Sequence, residues 1–216
     1  AESTRPEFAP VDAEEEWHRL EASLSAVRRA VRGTPLTVDT TKAAVASRAL
    51  EHGADAVNDV TGFLGDPAMA QVVARTGVPA IVMHNQRGRE FGGDVIEDVR
   101  AGLRRSIAAA EAAGVPRDRL VLDPGFGFGW GPVQNFLMLR RLAELRDLGR
   151  PLLIGVSRKS SIGYIVDRPP QERVWGTAAA VALAVQQGAD IVRVHDVEEM
   201  VQVVQVADAV VRGRVG

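Results

Sequence analysis

A chain of 216 residues, 46% hydrophobic and 25% charged, has the balance of a folded globular protein. Barrels of alternating strands and helices run to about 200–250 residues without splitting, so one domain over residues 1–216 is expected. Lys and Arg total 26 against 28 Asp and Glu, a net charge of −2 with no basic block, which argues against a nucleic-acid partner. The lack of cysteine rules out a disulfide framework, a thiolate metal site and a cysteine nucleophile. No apolar run reaches the ~18 residues of a membrane span, and no signal-peptide pattern opens the chain. A cytoplasmic enzyme or binding protein with no membrane partner is the expectation.

In chain order, Trp17, Leu20, Leu24, Val27 and Val31 recur at helical spacing and predict a first helix. A strand is predicted at 36–38, a helix at 42–52, a strand at 56–60 and a helix at 67–76 striped by Met69, Val72, Val73 and Thr76. A strand at 80–83 and a long helix at about 94–113 follow, then a strand at 120–122, a Gly-rich turn and a helix at 133–147. A strand at 152–156 leads through a longer loop to a helix at 174–187. A strand at 191–194 leads to a helix at 197–212 with Met200, Val203, Val204, Ala207 and Val211 inward. Gly53, Gly77, Gly114, Gly149 and Gly188 each fall at a helix end, where a left-handed cap is wanted. Strands alternating with helices imply a parallel sheet. Six strands are counted where a closed barrel of this type has eight. An open doubly wound sheet would need a Gly-rich fingerprint after its first strand, and none is present.

Each strand exit carries polar groups: Asp39; Asn58 with Asp59; His84 with Asn85; Asp123; Ser157-Arg158-Lys159-Ser160; and Arg193 with His195. One such residue is ordinarily a cap or a turn former, whereas six around one barrel mouth favour a site. Arg193 and His195, two apart on a strand, face the same side and suit an anion, although Arg193 is as readily a structural partner for a carboxylate. Asp39-Thr40-Thr41-Lys42 also suits capping of the next helix. In Asp123-Pro124-Gly125-Phe126-Gly127-Phe128-Gly129 a carboxylate ends an apolar strand beside two rings, which suits a flat heterocycle with N–H groups. Only Lys42 and Lys159 among the 26 basic residues are Lys, which marks Lys159, set between serines at a strand exit.

Together, Glu2-Ser3-Thr4-Arg5-Pro6, Val38-Asp39-Thr40, Asn58-Asp59-Val60, Met83-His84, the stretch 122–129, Gly155-Val156-Ser157-Arg158-Lys159-Ser160 and Val192-Arg193-Val194-His195-Asp196-Val197 resemble the dihydropteroate synthase family, in its order and over the whole chain. The resemblance implies an α/β fold, a TIM-type (β/α)8 barrel, here without its first two strands and first helix. It implies a transferase of folate synthesis that joins 4-aminobenzoate to the methylene carbon of a dihydropterin pyrophosphate and releases pyrophosphate. By the same resemblance Asp39, Asn58 and Asp123 hold the pterin edge, and Met83 and Phe128 pack near its rings. Lys159 contacts the pterin, and Gly155 lies among the substrate-binding residues. Ser157, Ser160, Thr4 and Pro6 lie near the aminobenzoate, and Arg5, Arg193 and His195 take the pyrophosphate. Lys159, Arg193 and His195 are the expected catalytic residues.

A magnesium cofactor and a homodimer are implied as well, the dimer using the uncharged helix at 174–187. The family's magnesium-binding Asn lies in its first strand, which has no counterpart in this sequence, so no metal ligand is assigned here. A chain without that strand is expected to keep weakened pterin recognition and to turn over poorly. Glu7 and Trp130 depart from the family's usual Gly and Lys. A pterin-binding methyltransferase domain and an inert truncated homologue are the alternatives. Ser3-Thr4-Arg5-Pro6, Lys159 and the Arg193/His195 pair favour the synthase over the methyltransferase.

Overall fold

The structure, a computed structural model, describes residues 11–213. It divides into two compact units, Ala1–Met83 with Arg105–Val121, and His84–Arg104 with Leu122–Gly216. In the first unit, helix α1 (Ala13–Ala30) starts where the Asp12 side chain accepts from Glu15 N at 2.8 Å. Glu14, Glu15 and Glu16 occupy its first turn and Arg28 and Arg29 its last, the charge order that the helix dipole favours. Trp17 and Leu24 are buried as the periodicity predicts, but Val27 is exposed. Lys42 Nζ meets the buried Glu16 carboxylate at 2.8 Å, so this lysine neutralises a charge that burial would otherwise penalise.

Strands β1 (Thr37–Asp39), β2 (Ala56–Asp59) and β3 (Ala80–Met83) pair in parallel, with Asp39 beside Asn58 and Asp59 beside Val82. Strand β4 (Leu120–Asp123) follows β3 in the sheet order. Between the strands run α2 (Ala43–Glu51) and α3 (Met69–Thr76), the latter closed by Gly77 in the left-handed conformation at φ 69°. Met69, Val72 and Val73 are buried, while Thr76 is exposed and bonds back to Val72 O. Helix α4 (Val95–Ala112) and strand β4 each continue from one unit into the other.

The second unit holds α5 (Pro132–Arg140), the parallel pair β5 (Leu153–Ile154) and β6 (Ile191–Val192), and helices α6 (Ser160–Val166), α7 (Val174–Gln186) and α8 (Val197–Arg212). Its core includes Phe126, Met138, Leu142, Leu145, Leu152 and Ile154. Three sequence expectations are corrected here. The helix predicted at 133–147 stops at Arg140 and continues as a tighter 3-10 segment, Leu142–Leu148. The loop after β5 contains α6, which starts at Ser160 and is capped beyond Val166 by Asp167 in the left-handed conformation. In α8, Met200 and Ala207 are buried, but Val211 faces outward at 43% exposure.

Candidate functional site

The first unit holds the candidate residues Asp39, Asn58 and Met83. Register partners in a parallel ladder share a face, so Asp39 and the buried Asn58 stand side by side at the strand exits. The carboxylate that serves the start of α2 is Asp66, whose Oδ2 accepts from Ala43 N at 2.8 Å, while Thr40 Oγ1 accepts from Lys42 N at 3.2 Å. The capping suggested for Asp39-Thr40-Thr41-Lys42 is thus shared with a distant residue. Met83 ends β3 and is 2% exposed.

Asp59, next to Asn58, has a different task. Its Oδ1 accepts from Thr61 N at 2.8 Å and Thr61 Oγ1 at 2.7 Å, and its Oδ2 accepts from Phe63 N at 2.9 Å. These bonds hold the turn in which Phe63 adopts φ 67°. Burial pushes the Asp59 carboxyl above the usual carboxylate range despite the three bonds, which act to lower it. The folded chain therefore binds this proton more tightly than the unfolded chain. Asp59's contribution to stability falls as pH rises from the ordinary carboxylate value through the raised folded one. We predict that on acidification from neutral pH wild type gains stability relative to Asp59→Asn. Urea unfolding of both at pH 7 and pH 4 measures this, and a difference independent of pH contradicts it.

In the second unit the Gly-rich turn is built around Asp123 and Asn135. Asp123 is 3% exposed, its Oδ1 accepts from Gly125 N at 2.8 Å, and its Oδ2 lies 4.0 Å from Arg193 Nη1. The carboxylate partner anticipated for Arg193 is thus Asp123, itself a candidate site residue. Asn135, fully inside, accepts from Gly127 N at 2.7 Å and donates to Trp130 O and to Ser161 Oγ. Sequence reading missed Asn135, because a polar residue inside a helix gives no signal of what lies across from it. Phe128 carries Lys159 Nζ at 4.5 Å from its ring centroid and Arg87 Cζ at the same distance, and Arg87 was also not foreseen. Trp130 is buried, edge-on to Phe91 at 5.1 Å and 5.8 Å from the His84 ring, so it packs inward.

Around β5 and β6, His195 N and Nδ1 lie 3.2 and 2.9 Å from the buried Ser157 Oγ. Arg158, at φ 58°, clasps Asp196 through Nε at 3.0 Å and through Nη2. That guanidinium holds the Asp196 carboxyl below the usual range. Arg158 is therefore a fastener. Arg173 Nη1 donates to Arg158 O at 2.9 Å and to Lys159 O at 3.3 Å, fixing the backbone that presents Lys159. Ser160 opens α6, and a Cβ at Gly155 would lie 3.8 Å from Arg193 Cβ. The second unit thus joins Asp123 to Arg193, Phe128 to Lys159, and Ser157 to His195. Thr4, Arg5 and Pro6, with Glu7, lie outside the described residues.

The pterin binding enzyme family matches residues 1–195. The dihydropteroate synthase of Synechocystis sp. is 44% identical over 98% of this chain and 75% of its own length; that of Bacillus subtilis is 40% identical over 96% and 72%. A solved dihydropteroate synthase from Clostridium difficile, crystallised in the presence of pteroic acid, aligns with a TM-score of 0.94 at 42% identity, over 98% of this chain and 80% of that one. One from Xanthomonas albilineans with 4-aminobenzoic acid aligns at 0.91 and 41%, over 97% and 76%. With these relatives the chain shares its α/β fold of the TIM-barrel type. The chain belongs to the dihydropteroate synthase family of pterin-binding enzymes, transferases of folate synthesis.

Proposed function

We propose that the described residues divide the work of joining 4-aminobenzoate to a dihydropterin pyrophosphate. The observation that carries this is the buried Asp123 carboxylate with Arg193 at 4.0 Å: an acceptor for heterocycle N–H groups next to a cation for the leaving group. Asp39, Asn58 and Asp123 hold the pterin edge, and Met83, Phe128 and Gly155 line its place. Lys159 closes on the pterin. Ser157 and Ser160, with Thr4 and Pro6, attend the aminobenzoate. Arg193 and His195, with Arg5, receive the pyrophosphate. The C–O bond from the pterin methylene to the pyrophosphate breaks first, and the cations stabilise the charge gathering on the departing oxygen. Apolar walls keep water from the methylene cation. The amine nitrogen then forms the new C–N bond, and its proton passes to the released pyrophosphate.

The family implies magnesium. Among the described residues no group of three or more His, Asp or Glu side chains is placed to hold a metal ion. No residue role in this reading depends on it.

The turnover test is pyrophosphate release and dihydropteroate formation when both substrates are supplied. A folded chain that releases no pyrophosphate under any condition overturns the reading.

Three further features belong to the same reading. We propose one domain, supported by α4 and β4, which each continue through both compact units; a single cooperative unfolding transition is its check. A homodimer is supported by α7. One face buries Thr177, Val181 and Ala184, yet Trp175 and Leu183 stand 83% and 51% exposed on a helix with no charged side chain. Sedimentation at micromolar concentration should find the dimer, and a monomer counts against it. A cytoplasmic location fits a chain free of cysteine, and cell fractionation tests it. No helix of the described residues is long and apolar enough to cross a membrane.

A further inference from the structure

Helix α6 has seven residues, too few to hold its shape by its own hydrogen bonds. Arg173, the residue before α7, fastens it from outside. Its Nη1 donates to Arg158 O at 2.9 Å and to Lys159 O at 3.3 Å, and its Nε donates to Arg168 O at 2.7 Å, so one guanidinium grips the chain on both sides of α6. The guanidinium lies against Gly163 inside the helix: a Cβ there would sit 2.7 Å from Arg173 Nε and nearer still to Cζ and Nη2. Arg173 is itself anchored. Its carbonyl accepts from Thr177 N at 2.8 Å, and Thr177 Oγ1 in turn accepts from Arg158 N at 3.1 Å.

The two carbonyls at the start of α6 have a particular place. Arg158 O belongs to the peptide plane that precedes the Lys159 Cα, and Lys159 O to the plane that follows it. Each peptide is rigid, so the backbone at Lys159 turns only about φ and ψ. A donor bound to both planes fixes both angles, here −62° and 154°, and with them the direction of the Cα–Cβ bond. A planar fork with several N–H donors can serve carbonyls at both ends of α6, whereas an ammonium is a compact point charge and matches that spread poorly.

We infer that Arg173 is a positioning residue for the transfer reaction, which aims the Lys159 side chain by holding the peptide planes on either side of it. This rests on the reading that Lys159 serves the pterin. The effect of Arg173 on the chemistry passes through Lys159.

Gly163→Ala separates this role from a merely structural one. The new methyl displaces the flexible end of Arg173, yet alanine favours a helix over glycine. The variant is expected to melt at or above the wild-type temperature while kcat, with both substrates supplied, falls by about tenfold, within the ~100-fold that a misplacement of ~1 Å can cost. Arg173→Lys should lose kcat to a similar extent. Lys159→Ala leaves no side chain to aim, so in that background Gly163→Ala should change kcat by less than about twofold. An equal loss in both backgrounds would mean that Arg173 acts on something other than Lys159, and overturns the inference. An unchanged kcat in either Gly163→Ala or Arg173→Lys overturns it as well, and so does a loss of kcat in Gly163→Ala that comes with a lower melting temperature. If Lys159→Ala itself keeps full turnover, the reading of Lys159 fails and takes this inference with it.

Discussion

Arginine in place of Lys159 is expected to lower turnover by about 100-fold or more, the scale for losing a positioned charge at the reacting centre, while the fold persists. The lysine stem lies across Gly127: a Cβ there would sit 2.9 Å from Lys159 Cδ and 3.3 Å from Nζ. Its ammonium then ends over Phe128. A planar guanidinium is wider and carries its charge farther from the stem, so it cannot occupy the same place against Gly127. The backbone of Lys159 is held independently by Arg173, which is why the variant should melt close to wild type. Steady-state kinetics with both substrates, together with a melting curve, checks this. Full activity in Lys159→Arg would remove Lys159 from the site.

The second large effect is expected at Asp123. Asparagine keeps the shape but turns one acceptor into a donor. It would then oppose either Gly125 N, Arg193 or the heterocycle's own N–H. Because the side chain is buried, water cannot compensate. Pterin affinity should fall by roughly 2 kcal/mol or more, about 30-fold in Kd, the scale of a charge-assisted hydrogen bond. Calorimetry with a pterin measures it, and an unchanged Kd rejects the assignment.

Legibility in the sequence followed how local each cause is. Strand β3 and helix α8 have the predicted limits, 80–83 and 197–212, because an apolar run between turn residues and a long helical stripe are both local signals. The break at Arg141 was invisible, since no Pro or Gly marks it. Helix α6 was read as loop because seven residues are too few to show a period. The carboxylates Asp39, Asp59 and Asp123 were legible as strand ends, and so was the pairing choice offered for Arg193. Arg87 and Asn135 were not. One owes its place to a ring 41 positions later, and the other to a turn eight residues earlier and a serine 26 residues later. Contacts of that kind exist only once the chain has folded.

The division of the chain has a consequence for dissecting it. The first unit is interrupted by His84–Arg104, and the second by Arg105–Val121. No single truncation therefore isolates either one. Cleavage in the exposed pair Gly92-Gly93 would leave both products carrying portions of both units. Work on separate pieces of this protein is thus a matter of fragment complementation, in which two partners must be co-expressed and their reassembly followed, rather than of trimming down to a minimal domain.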